Sequence, residues 1–132
     1  MQGLNIMIEH KHLMISADFI RRVFATSWYE TWMTRLIEDL EMTPLTEPKA
    51  VRDKTPGNEG ITAFSIITTS HLVLHTWETT MPFKLQLDVY SCKPFRVETV
   101  LDRLENLNVS NVKYKFLDRE NGFETLDEQS KS

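Results

Sequence analysis

Three β-prone runs crowd residues 61–67, 71–77 and 83–90. The first two meet at Thr68-Thr69-Ser70, which leaves room only for a tight connection. In the third run Phe83, Leu85, Leu87 and Val89 alternate with Lys84, Gln86, Asp88 and Tyr90, the period of a sheet with one buried face and one wet or lined face. On the second, His71, Val73, His75 and Trp77 fall on one side of the strand, and Leu72, Leu74 and Thr76 on the other. Whatever else the chain does, it must build a sheet around these segments.

The flanks supply what covers that sheet. Leu13, Ile15 and Ala17 share one face of a strand within residues 4–19. Ser27-Trp28-Tyr29-Glu30 fits a capping box at the start of a helix. Trp32, Met33, Leu36, Ile37 and Leu40 then recur at helical spacing until Pro44 ends the pattern. Residues 43–60 read as loop, with room for a short strand at 49–52. Pro94 suits an early helical position, and Phe95, Val97, Val100, Leu101 and Leu104 form the stripe of a second helix. Val112, Tyr114 and Phe116 alternate with Lys113 and Lys115 in a last strand, and residues 119–132 read as a polar, flexible tail. The order predicts an α+β fold, a two-layer sandwich in which two helices pack on one face of an antiparallel sheet. The other face needs a covering layer, which suggests a homodimer packed sheet on sheet.

Composition narrows the class. At 132 residues the chain reads as a single domain, 1–132. A net charge of -4 argues against a nucleic-acid binder, and no apolar run approaches the roughly 20 residues of a membrane span. The N-terminus lacks the pattern of a secretory signal, so a cytoplasmic protein is expected. A lone cysteine, Cys92, excludes an internal disulfide or a multi-thiolate zinc site. No thiolate or acidic cluster supports a metal site at His10, His12, His71 and His75, so none is expected. Taken singly, Ser70 is a turn serine, His75 a strand histidine and Cys92 a small buried hydrophobe.

Taken together they point elsewhere. Ser70-His71-Leu72-Val73-Leu74-His75-Thr76-Trp77 resembles the Ser-His-x-x-x-His-Thr-Trp signature of the prokaryotic S-adenosylmethionine decarboxylase proenzymes. Lys11-His12-Leu13, Gly60-Ile61-Thr62 and Asp88-Val89-Tyr90-Ser91-Cys92 follow the family's order, so the resemblance spans residues 11–107. It implies a cofactor made from the chain itself. The Ser70 hydroxyl attacks the carbonyl of Thr69, the cleavage junction, and β-elimination leaves a β chain (1–69) and an α chain (70–132) opened by a pyruvoyl group. On the same resemblance Thr62 donates to the oxyanion and His75 is the processing base. The pyruvoyl ketone forms a Schiff base with the amine of S-adenosylmethionine, and Cys92 returns a proton after carbon dioxide leaves. The product is the aminopropyl donor of spermidine and polyamine biosynthesis.

The chain also differs from the family pattern. Thr69 stands where a glutamate usually precedes the serine, and Glu78-Thr79 follows Trp77 where Pro-Glu is usual. Ser16 and Ala17 lie where an acidic residue is common. Glu78 is the one candidate left to hold the ribose hydroxyls. Two alternatives therefore stay open: a pyruvoyl enzyme for another amino acid, such as arginine or ornithine, and an unprocessed, non-catalytic subunit used for binding or assembly.

Overall fold

The structure is a computed structural model and describes residues 9–68 and 70–131. Seven strands form one sheet: β1 (Lys11–Phe19), β2 (Lys49–Asp53), β3 (Gly60–Ile67), β4 (Ser70–Trp77), β5 (Phe83–Ser91), β6 (Ser110–Asp118) and β7 (Glu124–Lys131). Their order across the sheet is β2-β3-β4-β5-β1-β6-β7, and every neighbouring pair is antiparallel. Helices α1 (Thr26–Asp39) and α2 (Val97–Leu104) cover one face. The α+β two-layer sandwich expected from the pattern is what the chain forms.

Alternation builds the core. Leu13, Ile15, Ala17 and Phe19 on β1 meet Leu85, Leu87 and Val89 on β5 and Leu72 and Leu74 on β4. Tyr29, Trp32, Met33, Leu36 and Ile37 of α1 close over them. Each fully buried aliphatic side chain contributes on the order of 2 kcal/mol. The helices are tied to each other by Arg103, whose guanidinium grips Asp39 through two bonds of 2.6 and 2.9 Å, and by the Trp32 indole N–H on the Arg103 carbonyl. At the start of β3, a Cβ on Gly60 would fall 1.9 Å from the Thr76 carbonyl oxygen, so only glycine lets the two strands approach so closely.

Three local expectations are corrected. The capping box at Ser27 does not form: α1 begins at Thr26 behind Ala25 with no side-chain cap, and the Glu30 carboxylate accepts the Ala50 N–H of β2 at 3.1 Å instead. Helix α2 starts at Val97 rather than near Pro94, because the Ser91 hydroxyl bonds both the carbonyl and the N–H of Lys93 and holds that stretch in a turn. Residues 119–132, read as a tail, carry β7, which pairs with β6 from Val112 to Asp118.

Candidate active site

Ser70 opens β4 with its side chain toward the helical layer, only 8% exposed. Its Oγ accepts the Cys92 N–H at 3.1 Å and donates to the Thr68 carbonyl at 3.1 Å. The Cys92 Sγ lies 3.8 Å from that Oγ and 3.9 Å from the same carbonyl. These groups meet because Ser70 and Cys92 stand at the same end of neighbouring strands, Cys92 directly following β5. Around them is a cavity of about 220 Å3, bounded by Met42, Thr43, Ile67 and Lys93. Its wall is the loop after α1, which docks along β3 through Leu45 and Thr46 N–H bonds to the Ile66 carbonyl. Lys93 Nζ donates to the Glu41 carbonyl at 2.5 Å and holds that wall in place. Thr69, the expected junction, lies outside the described residues.

Thr62 and His75 are partners across β3 and β4, with Thr62 Oγ1 2.9 Å from His75 Nδ1. The structure does not bring this pair to Ser70. Positions 70 and 75 are five residue steps apart on the strand, about 16 Å at the usual rise. The odd number also puts the two side chains on opposite faces of the sheet. Thr62 and His75 belong to the face without helices. There His75, Met14, Val73, Asp88, Lys113 and Glu128 line a groove of about 870 Å3.

Glu78 lies just past the far end of β4 and its side chain is fully buried. Its Oε1 takes Arg22 Nε at 3.1 Å and Arg52 Nη1 at 2.9 Å, and its Oε2 accepts the Thr76 hydroxyl at 2.8 Å. Both oxygens are occupied, so as it stands this carboxylate has little left to offer a ribose. The Tyr29 phenol beside it is pushed up to about 12, chiefly by burial and then by the Glu78 charge, with Arg52 opposing.

Sequence reasoning missed a second polar cluster on the open face. His71, Tyr90 and His12 form one row across β4, β5 and β1, and Asp88 stands two residues along β5 on the same face. The Asp88 carboxylate binds His12 Nε2 through Oδ1 and His71 Nε2 through Oδ2, the latter at 3.4 Å. Burial pushes the Asp88 carboxyl up, but the hydrogen bonds and charges of His12 and His71 outweigh it and hold it below its ordinary range. The signal was present, since alternation puts Asp88, His71 and His12 on one face. The missing information was that β1 lies beside β5.

Ser70, opening a central strand, and Cys92 thus meet at one end of an antiparallel sheet backed by helices. The chain belongs to the S-adenosylmethionine decarboxylase family, whose model matches residues 11–120. The family's enzymes are decarboxylases that use a pyruvoyl group formed by self-cleavage. A search of curated proteins finds no match. Among the described residues no helix is long and apolar enough to cross a membrane.

Proposed function

We propose that this chain is a self-cleaving, pyruvoyl-dependent decarboxylase of the prokaryotic type. It acts in the cytoplasm on S-adenosylmethionine and yields the aminopropyl donor for polyamine synthesis. One observation carries the reading: the Ser70 hydroxyl is buried, oriented by a donor and an acceptor, and shares a cavity with Cys92. The residues present fit a pyruvoyl group at position 70. A serine there supplies the three carbons and the oxygen to be eliminated, and the cavity gives a small ketone space beside a thiol. Once formed, the group supplies an electron sink for the departure of carbon dioxide.

The chain's own residues do the rest. The Cys92 N–H fixes Oγ against free rotation, so the hydroxyl is held for attack on the preceding carbonyl. The Cys92 thiol stands where a proton can be returned to the substrate carbon after decarboxylation. Lys93, latched to Glu41, keeps the cavity wall closed on the helix side. A homodimer would cover the open face, where Met14 and Phe64 are each 38% exposed and Ile66 47%.

The engagement of Glu78 by two arginines favours a second reading, a pyruvoyl enzyme for arginine or ornithine. Carbon dioxide release from carboxyl-labelled substrates separates the two. The account expects release from S-adenosylmethionine and none from arginine or ornithine; the reverse pattern establishes the second reading. In the same assay Cys92→Ala should lower turnover about 100-fold or more. An unchanged rate removes Cys92 from proton return.

A further inference from the structure

We propose that Lys93 binds the substrate's carboxylate, so that the cavity beside Ser70 recognises the aminocarboxylate head of an α-amino acid. This rests on the reading that position 70 becomes the ketone, and it adds the side chain that receives the acidic end of the substrate.

The chemistry fixes what the cavity must receive. An α-amino acid that condenses with a ketone through its amine, releasing water, carries its carboxylate two bonds from that nitrogen. The carboxylate therefore arrives beside position 70, where the Cys92 thiol lies 3.8 Å from the Ser70 hydroxyl. A carboxylate drawn out of bulk water without a partner is costly to bind. Among the described residues that line the cavity, Lys93 alone carries a positive charge. Pairing the carboxylate with it also fixes the direction of the bond to be broken, which a contact at the amine alone does not do.

Three observations select Lys93. The first is placement. The buried Ser91 hydroxyl accepts the Lys93 N–H at 2.9 Å and donates to the Lys93 carbonyl at 2.8 Å, while the Cys92 N–H is held by Ser70 Oγ at 3.1 Å. The backbone that carries the ammonium is thereby fixed on the cavity rim. The second is an uncancelled charge. Lys11 and Lys84 sit 2.5 Å from Glu120 and 2.7 Å from Asp18, whereas Lys93 Nζ meets only the neutral carbonyl of Glu41, with no carboxylate in ion-pair range among the described residues. An ammonium has three donors, so the bond to Glu41 leaves two for a ligand. The third is size. At about 220 Å3 the cavity falls below the roughly 300–1,000 Å3 of sites that enclose a drug-sized molecule. It takes the head of the substrate and leaves a nucleoside outside.

The test compares two ligands that differ only in the carboxylate, S-adenosylmethionine and its decarboxylated product, on the processed enzyme with rates taken per trapped ketone. Lys93 is exposed, so Lys93→Gln and Lys93→Arg should keep the parent melting temperature. Lys93→Gln should raise KM about 10-fold with kcat within threefold, while the inhibition constant of the product moves less than twofold. Lys93→Arg keeps the charge and should hold KM within threefold of the parent. A lysine that only braced the wall through Glu41 would weaken both ligands alike, so equal shifts overturn the proposal. A KM within twofold of the parent in Lys93→Gln overturns it too. In either case the parent still cleaves and releases carbon dioxide, and the proposed function stands. A parent chain that never cleaves takes both down. Should arginine or ornithine be the substrate, that amino acid and its amine form the ligand pair, and the same shifts apply.

Discussion

Replacing Ser70 with alanine is expected to leave a single chain of 15.5 kDa at any time of incubation. The substitution removes the only atom that the account allows to attack the 69/70 amide. An uncatalysed amide has no comparable route, so the loss should be complete rather than graded. The fold should survive. Ser70 Oγ provides one acceptor for the Cys92 N–H, and losing such a bond costs about 1 kcal/mol. A folded Ser70→Ala protein that still breaks at position 70 would remove the hydroxyl from the mechanism.

Glu78→Ala carries the largest expected effect on stability. Arg22 and Arg52 converge on one buried oxygen, and the second oxygen receives the Thr76 hydroxyl, which also accepts the Ile61 N–H at 2.8 Å. Removing the carboxylate leaves the two guanidinium groups without their shared counter-charge. Breaking a buried pair from one side costs about 3–5 kcal/mol. For a chain of this length the melting temperature should fall on the order of 10 °C or more. Glu78→Gln keeps the shape and should fall less. A change below about 2 °C, with a raised KM for S-adenosylmethionine, would instead return Glu78 to the ribose-binding role implied by the resemblance. The cluster's position favours the structural role. It joins β2, the segment after β1 and the end of β4, far from Ser70.

The strands around the junction were legible because their period is strong. Residues 61–67, 71–77 and 83–90 appear as β3, β4 and β5 with shifts of one residue at an end. Strand β7 was not, because Glu124, Asp127, Glu128 and Gln129 leave no apolar face for alternation to reveal. Its pairing comes from the backbone of β6, which carries no side-chain signature. The start of α1 was misplaced because the Glu30 carboxylate found a partner in β2, a choice made by tertiary contact.

The site divides in the same way. That Ser70 and Cys92 would share one sheet end followed from two neighbouring strands, and the structure places them 3.8 Å apart. That Thr62 and His75 would not join them depended on counting strand residues against the register, in which Thr62 faces His75 while Ile67 faces Ser70. The Asp88 cluster required β1 to lie between β5 and β6, a crossover that no local pattern encodes. Arg22 and Arg52 reach Glu78 from segments remote in the chain, so their role appears only in three dimensions.

The most direct measurement is the mass of freshly purified, folded protein under denaturing conditions, combined with a carbonyl trap. The account predicts two polypeptides divided between positions 69 and 70, the second carrying at its start a ketone that borohydride reduces or a hydrazine captures. One uncut polypeptide after prolonged incubation, with no trappable carbonyl, would contradict it and point to a subunit that binds without catalysing.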